Sequence, residues 1–324
     1  MMNIQLNDNH YFNELIKNSV PLHDKNWFST GGPAQFFAQP RNATEFCTVL
    51  QFAEIHFLPI FILGNGANVL ISDEGFAGMV IQPLLNKITF HENKHGIQVT
   101  AGAGVLMHEL IRESLHNNAL GLEEFSGIPG TVGGSVYINL HYFEFLLEHF
   151  LHTATVIHKH TGMVEIVSKE WFNFGYNTSK LQEEEYFLVD ATFTLKKGSI
   201  TDTAFAQGRS KEIIRHRAAR YPTQKTCGSF FRNFKEDEVT LISNGKKMIY
   251  VAYYFDKIGI KGQLKYGDAA VSYQHANMIV NQGNATSADI IYLARTMQEM
   301  VQKEFGIVPK PECRLIGFST NPLL

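Results

Sequence analysis

Gly64-Asn65-Gly66-Ala67-Asn68 constrains this chain more than any other stretch. It follows the apolar run Phe57-Leu58-Pro59-Ile60-Phe61-Ile62-Leu63 and precedes Val69-Leu70-Ile71-Ser72-Asp73, which reads as strand, glycine turn, strand. Two glycines among small polar residues let backbone N–H groups converge on an anion with no Cβ in the way, and a phosphate-bearing ligand suits such a turn. Two better-known phosphate loops are excluded. A Walker loop needs Lys-Ser/Thr after its last glycine, and Ala67-Asn68 follows Gly66. A dinucleotide fingerprint needs a third glycine opening a helix, and Val69 stands there inside a strand. Gly102 and Gly104 fail the same test because Met107 fills the third slot. Taken alone, Gly-Asn-Gly also fits an ordinary tight turn.

The 324 residues allow one to three domains, and 44% hydrophobic against 18% charged residues suffices for well-formed cores. A net charge of −3 leaves no electrostatic footprint for nucleic acid or an acidic membrane, so local loops and single basic residues must hold an anionic ligand. Cys47, Cys227 and Cys313 form neither a paired-cysteine zinc motif nor a disulfide framework. Met1 to Val20 lacks an apolar leader core, and no apolar run approaches a membrane span. The expectation is a soluble, cytoplasmic protein, monomeric, with no metal, nucleic-acid or membrane partner.

Along the chain, Ala34–Ala38 reads as a strand, and Asn42 or Thr44 caps a helix through Ala53. Strands dominate from Gly78 to about Leu195, among them 78–81, 97–100, 154–157, 163–167 and 186–195, with a hairpin turn at Lys159-His160-Thr161-Gly162. A helix interrupts at Leu106–Leu115. Ala204–Arg220 reads as a basic helix, followed by a strand-and-loop block around Ser229. Thr286–Phe305 is an amphipathic helix ended by Pro309 and Pro311.

Three more segments carry chemical potential. Ser126-Gly127-Ile128-Pro129-Gly130-Thr131-Val132-Gly133-Gly134 is a second glycine loop able to approach a flat or charged ligand closely, or a buried crossover loop. Cys227-Gly228-Ser229-Phe230-Phe231-Arg232-Asn233 places a hydroxyl beside two aromatics, a proton donor on a desolvated wall or a Ser in a strand turn. Phe231 replaces the last glycine of a hydrolase elbow, which argues against Ser229 as a nucleophile. Pro309-Lys310-Pro311-Glu312-Cys313-Arg314 brackets a carboxylate with prolines. Burial there would raise its pKa and suit proton work; the alternative is a surface carboxylate paired with Arg314. His141, His149, His152, His158 and His160 match no metal-ligand spacing and read as a solvated, partly helical insert.

In combination and order, these segments resemble the UDP-N-acetylenolpyruvoylglucosamine reductases, also called UDP-N-acetylmuramate dehydrogenases, from Asn26 to Phe318. The further segments that carry the likeness are Asn26 to Ala34, Gly267 to Ser272, His275 to Asn281 and Gly283 to Thr286. The resemblance implies an α+β fold. An FAD-binding region of the vanillyl-alcohol-oxidase type lies in two subdomains, residues 1–78 completed by 305–324 and residues 79–200, which clasp FAD. Residues 201–304 form a substrate domain. NADPH reduces the FAD, which then passes hydride to the enolpyruvyl group of a UDP-sugar in peptidoglycan precursor synthesis. Gly64, Asn65, Gly66, Ala67, Asn68, Val69, Ser126, Pro129, Gly130, Thr131, Gly133, Gly134 and Arg314 are the implied cofactor residues. Ser229 is the implied proton donor, Glu312 assists at the carboxylate end, and Tyr176, Arg220 and Asn233 contact substrate.

Two departures stand out. Where the family reads Tyr-Arg-x-Ser, this chain has Tyr176-Asn177-Thr178-Ser179, so a guanidinium that would stabilise the enolate is missing; Lys180 is the nearest cation in sequence. The family's Asn-Ala-Gly-Ala turn becomes Asn139-Leu140-His141-Tyr142 and leads into a longer apolar stretch to Phe150. Cys227-Gly228-Ser229 and the short spacing after Tyr176 resemble the family's compact subtype rather than the one with an extra tyrosine loop. Pro59 to Ser72 holds neither His nor Cys, so FAD is expected to bind without a covalent tether. The alternatives are a flavin or UDP-sugar binder impaired through Asn177, and an FAD-dependent sugar or alcohol oxidase of the same fold.

Overall fold

The computed structural model describes residues 14–223, 225–243 and 245–324. Most of the amino-terminal segment read above as lacking a leader core, residues 1–13, lies outside them. The chain runs β1 (Ile16–Pro21), β2 (Pro33–Ala38), α1 (Ala43–Ile55), β3 (Ile60–Ile62), β4 (Val69–Ile71), β5 (Phe76–Ile81), β6 (Ile88–Asn93), β7 (Gly96–Gly102), α2 (Met107–His116) and β8 (Ala119–Leu120). Next come a short helix α3 (Val132–Tyr137), a hairpin of β9 (His141–Tyr142) and β10 (Phe145–Leu146), then β11 (Leu151–His158), β12 (Val164–Ser168) and β13 (Tyr186–Lys197). The rest is α4 (Ile200–Arg220), β14 (Ile242–Ser243), β15 (Lys246–Lys247), α5 (Val251–Lys257), β16 (Lys265–Tyr266), β17 (Ala269–Val271), β18 (Ile279–Asn281), α6 (Ser287–Phe305) and β19 (Arg314–Ile316). Among the described residues no helix is long and apolar enough to cross a membrane.

The chain divides into two compact units. The first holds residues 1–20, 35–65 and 77–216; the second holds 21–34, 66–76 and 217–324. In the first, β1, β2, β5 and β3 form one sheet in that order, and β12, β11, β13, β7 and β6 form a second, with β8 on the end of β13. Alternation explains the second sheet. Ile97, Val99 and Ala101 of β7 lie opposite Leu195, Phe193 and Ala191 of β13, and all six are buried on one face. Asn42 caps α1 by accepting the Glu45 N–H at 2.9 Å, which settles the choice between Asn42 and Thr44.

In the second unit β19 pairs in parallel with β4, and β16, β17 and β18 form a small antiparallel sheet. Its core gathers around α6, where Ile290, Leu293, Ala294, Met297 and Val301 are buried. Thr286 and Asp289 form a capping box at its start. The helix stops at Gly306, whose φ of 72° closes it, so the later prolines are not what ends it.

Two helices were not expected. α3 sits inside the second glycine loop, and α5 lies in the block read as strand and loop. The histidine-bearing insert is not partly helical in the expected sense. It is the β9–β10 hairpin, a single 3-10 turn over Leu147–His149, and β11. The aromatic and β-branched residues of this stretch suit strands better than a helix.

Candidate active site

Ser229 and Glu312, far apart in sequence, sit on facing backbone segments of the second unit. Phe231 and Pro311 form an antiparallel bridge. The Phe230 carbonyl accepts the Glu312 N–H at 2.8 Å and the Cys313 N–H at 3.2 Å, and the Arg232 N–H donates to the Lys310 carbonyl at 3.0 Å. Asn277 fixes the first of these segments. Its Oδ1 accepts the Phe231 N–H at 3.1 Å, and its Nδ2 donates to the Phe231 carbonyl at 2.7 Å. The rings of Phe230 and Phe231 are fully buried, 5.0 Å apart, and Phe231 continues to Phe255 at 5.5 Å. Ser229 and Glu312 themselves are half-buried, so each emerges at the edge of an apolar wall. Such a wall strengthens any hydrogen bond made there. Burial, then a hydrogen bond with Cys313, drives the Cys227 thiol far above its ordinary range, so it stays protonated and is no nucleophile.

The strand carrying Arg314 binds this edge to the exit of the first glycine turn. Arg314 lies opposite Val69 in the β19–β4 pair, and its N–H donates to the Asn68 carbonyl at 3.1 Å. Asn233 accepts the Val251 N–H on its Oδ1 at 3.3 Å. Arg220 is exposed at the end of α4, with its guanidinium 5.7 Å from the Tyr221 ring centre. Tyr221 in turn meets His275, whose pKa burial lowers to about 4, so its imidazole is neutral at pH 7.

Beside Asn233, Arg232 grips Glu238 with two hydrogen bonds of 2.8 and 2.7 Å. That grip lowers the Glu238 pKa from 4.5 to about 2. A depressed carboxyl adds stability above its unfolded pKa and loses it as pH falls through the folded value. Glu238→Gln is therefore expected to cost about 1 kcal/mol at pH 7, discounted because the pair is partly exposed. The gap to wild type should narrow as pH drops from 4.5 towards 2. Urea unfolding at each pH checks this, and a gap that stays constant down to pH 3 contradicts it.

The glycine loops hold the conformations that a close ligand requires. Gly66 has φ of 63°, and a Cβ there would lie 2.4 Å from both the Asn26 Cα and the Lys25 carbonyl oxygen. At Gly64 a Cβ would lie 2.7 Å from the Thr131 Oγ1. Thr131 begins α3 and accepts the Gly134 N–H at 3.2 Å, so the two glycine loops meet in the first unit. Gln82 donates to the Gly64 carbonyl at 3.1 Å and keeps it in place. Among the described residues no hydrogen bond ends on the N–H groups of Asn65, Gly66, Ala67 or Asn68. Ser126 is buried, and its hydroxyl pairs with that of Ser210 at 2.8 Å.

In the second unit, three buried oxygens also lack partners among the described residues: Asn26 Oδ1, Thr30 Oγ1 and Asn68 Oδ1. Asn26 is tightly held, donating through Nδ2 to the Leu22 and Thr30 carbonyls at 2.8 and 2.7 Å. Unpaired buried polar atoms call for a ligand or an ordered water. FAD offers what this set needs: anionic oxygens for N–H and hydroxyl donors, and ribityl hydroxyls and a ring N–H for amide oxygens. The residues fit the cofactor. Asn26 and Thr30 lie in the Asn26 to Ala34 segment that carries the family likeness, which by itself gives them no role.

In the first unit Asn177 adopts φ of 57°, and its Nδ2 is buried without a partner among the described residues. Tyr176 is 54% exposed, and its ring lies 4.9 Å from that of His141. Lys180 does not reach out as a free cation: its ammonium sits 4.6 Å over the Trp171 ring.

A family profile described as an FAD binding domain matches residues 34–166, and one described as UDP-N-acetylenolpyruvoylglucosamine reductase, C-terminal domain, matches residues 220–316. Fold and site thus define an α+β protein with an FAD-binding domain of the expected type. The curated UDP-N-acetylenolpyruvoylglucosamine reductase of Clostridium novyi (strain NT) is 31% identical over 94% of this chain and 93% of its own length. That of Synechocystis sp. is 32% identical over 94% and 91%. The chain belongs to the UDP-N-acetylenolpyruvoylglucosamine reductase family. The crystal structure of the reductase from Thermus caldophilus matches with a TM-score of 0.73 and 27% identity, covering 93% of this chain and 98% of that one.

Proposed function

We propose that this protein is an FAD-containing, NADPH-dependent oxidoreductase that reduces the enolpyruvyl group of UDP-N-acetylglucosamine enolpyruvate to UDP-N-acetylmuramate, a step of peptidoglycan precursor synthesis. One observation carries the reading: a chain about 30% identical to these reductases along nearly its whole length brings Ser229 and Glu312 onto facing segments. Bound FAD supplies the hydride chemistry. The backbone N–H groups of Asn65 to Asn68 hold its diphosphate, with Gly64, Val69, Pro129, Gly130, Gly133, Gly134 and Arg314 shaping the seat.

Hydride addition to an enol ether beside a carboxylate builds enolate charge, so one proton must arrive at the carbon next to that carboxylate. The Ser229 hydroxyl, at the rim of its aromatic wall, delivers it. Glu312 holds a proton at the substrate's carboxylate end. Tyr176, Arg220 and Asn233 orient the UDP-sugar. Residues 1–78 with 305–324, 79–200 and 201–304 serve as the two cofactor parts and the substrate part. The protein acts as a cytoplasmic monomer without nucleic-acid or membrane partners.

Under nitrogen, NADPH consumption is expected to match addition of the enolpyruvyl substrate one for one, with a product heavier by two hydrogens. Oxygen uptake on a simple alcohol would favour the oxidase reading instead. A binder impaired through Asn177 would keep the flavin and turn over nothing. The flavin is also expected to leave the polypeptide on denaturation and filtration; colour retained on the unfolded chain contradicts untethered binding.

A further inference from the structure

The two departures from the family pattern, His141 and Asn177, converge on one small assembly. The Asn177 turn is set before any ligand arrives. Gln182 Nε2 donates to the Asn177 carbonyl at 2.8 Å and to the Tyr137 carbonyl, at the end of α3, at 3.1 Å. Ser179 Oγ donates to the same Tyr137 carbonyl at 2.7 Å. Asn139 Nδ2 donates to the Gly175 carbonyl at 3.2 Å, and Asn139 Oδ1 accepts the Glu148 N–H at 3.3 Å, which joins the β9–β10 insert to the turn. Within this frame Asn177 keeps a left-handed backbone and a buried amide nitrogen with no acceptor among the described residues. A held donor without an acceptor awaits an oxygen. The His141 ring packs against Tyr176, the residue next to it, tilted by 47°. Burial lowers the His141 pKa, so the imidazole is neutral at pH 7 and carries one N–H.

We propose that the Asn177 amide and the His141 imidazole together donate hydrogen bonds to the oxygens that gain charge as the enolpyruvyl carboxylate becomes an enolate, in place of one guanidinium. The assignment rests on the reductase reading above. A guanidinium fork presents two N–H groups to a carboxylate, and the Asn–His pair restores that number with neutral donors. Lys180, the nearest cation in sequence, is engaged on Trp171.

The test uses holoprotein reduced by NADPH under nitrogen, then mixed with saturating enolpyruvyl substrate while the flavin colour returns. His141→Phe keeps a ring against Tyr176 but removes the N–H, and it should slow recovery about 10²-fold, the scale of one oxyanion donor. His141→Gln, which retains an N–H donor, should recover most of that rate. In an Asn177→Arg background, His141→Phe should cost less than about 3-fold, because the fork already supplies both donors. The bleaching step by NADPH is the internal control. Wild-type rates in His141→Phe, or an equal loss in the Asn177→Arg background, would overturn the assignment alone. A wild-type protein whose colour never returns overturns the reductase reading itself.

Discussion

Ser229→Ala is expected to bleach with NADPH like wild type and then to recover its colour about 10²- to 10⁴-fold more slowly on mixing with the enolpyruvyl substrate. That is the range for loss of a positioned proton donor. The split between the two half-reactions is the informative part. Ser229 stands at the end of a wall built by Phe230 and Phe231, and its backbone is fixed by neighbouring hydrogen bonds to Asn277 and to the Glu312 segment. Removing one oxygen leaves that frame intact, so substrate should still bind and only the proton delivery should fail. Ser229→Cys keeps a proton at a similar place on a larger, softer atom and should fall between. Equal slowing of bleaching and recovery in Ser229→Ala would mean that the hydroxyl shapes the site without serving as donor.

Gly66→Ala is expected to weaken FAD binding by about 10²-fold or more, equivalent to at least about 2.7 kcal/mol. Two penalties combine. The positive φ disfavours any Cβ, and the new carbon would lie 2.4 Å from a backbone carbon and a carbonyl oxygen that have no rotamer to escape into. The Trp27 N–H donates to the Gly66 carbonyl at 3.0 Å, so a shift of the turn also disturbs the segment holding Asn26. The protein should purify with little yellow colour. Far-ultraviolet circular dichroism separates lost cofactor from lost fold. Gly64→Ala should be milder, because its neighbour is the Thr131 side-chain hydroxyl, which can rotate at the cost of its bond from the Gly134 N–H. Full flavin content in Gly66→Ala would show that this turn does not seat the cofactor.

Much of the fold is legible in the chain because the signals are local. Runs rich in Val, Ile, Thr and Phe mark β7, β11 and β13, and apolar residues at helical spacing mark α6, whose capping box at Thr286 and Asp289 the structure adds. The misses are local as well. α3 spans six residues and contains Gly133 and Gly134, so neither period nor propensity announces it. α5 has seven residues, the apolar run Val251 to Phe255 followed by Asp256 and Lys257, too few to separate from a strand by pattern. Gly306 is hard to read as a helix stop because two prolines soon follow it. The pairing of the Ser229 and Glu312 segments is non-local, and no spacing rule in the sequence could give it; the resemblance suggested both residues as partners in one reaction. The unpartnered oxygens of Asn26 and Thr30 are visible only once the backbone is folded around them.

Under the proposed function, reduction of an enolpyruvyl UDP-sugar takes a hydride from bound FAD and a proton from Ser229. Its most direct measurement is an anaerobic titration of NADPH-reduced, nucleotide-free holoprotein with UDP-N-acetylglucosamine enolpyruvate, followed by visible absorbance. One equivalent of substrate should return the colour of one equivalent of flavin and yield UDP-N-acetylmuramate. Flavin that stays bleached in excess substrate, in a protein that NADPH reduced without difficulty, would contradict the proposed function.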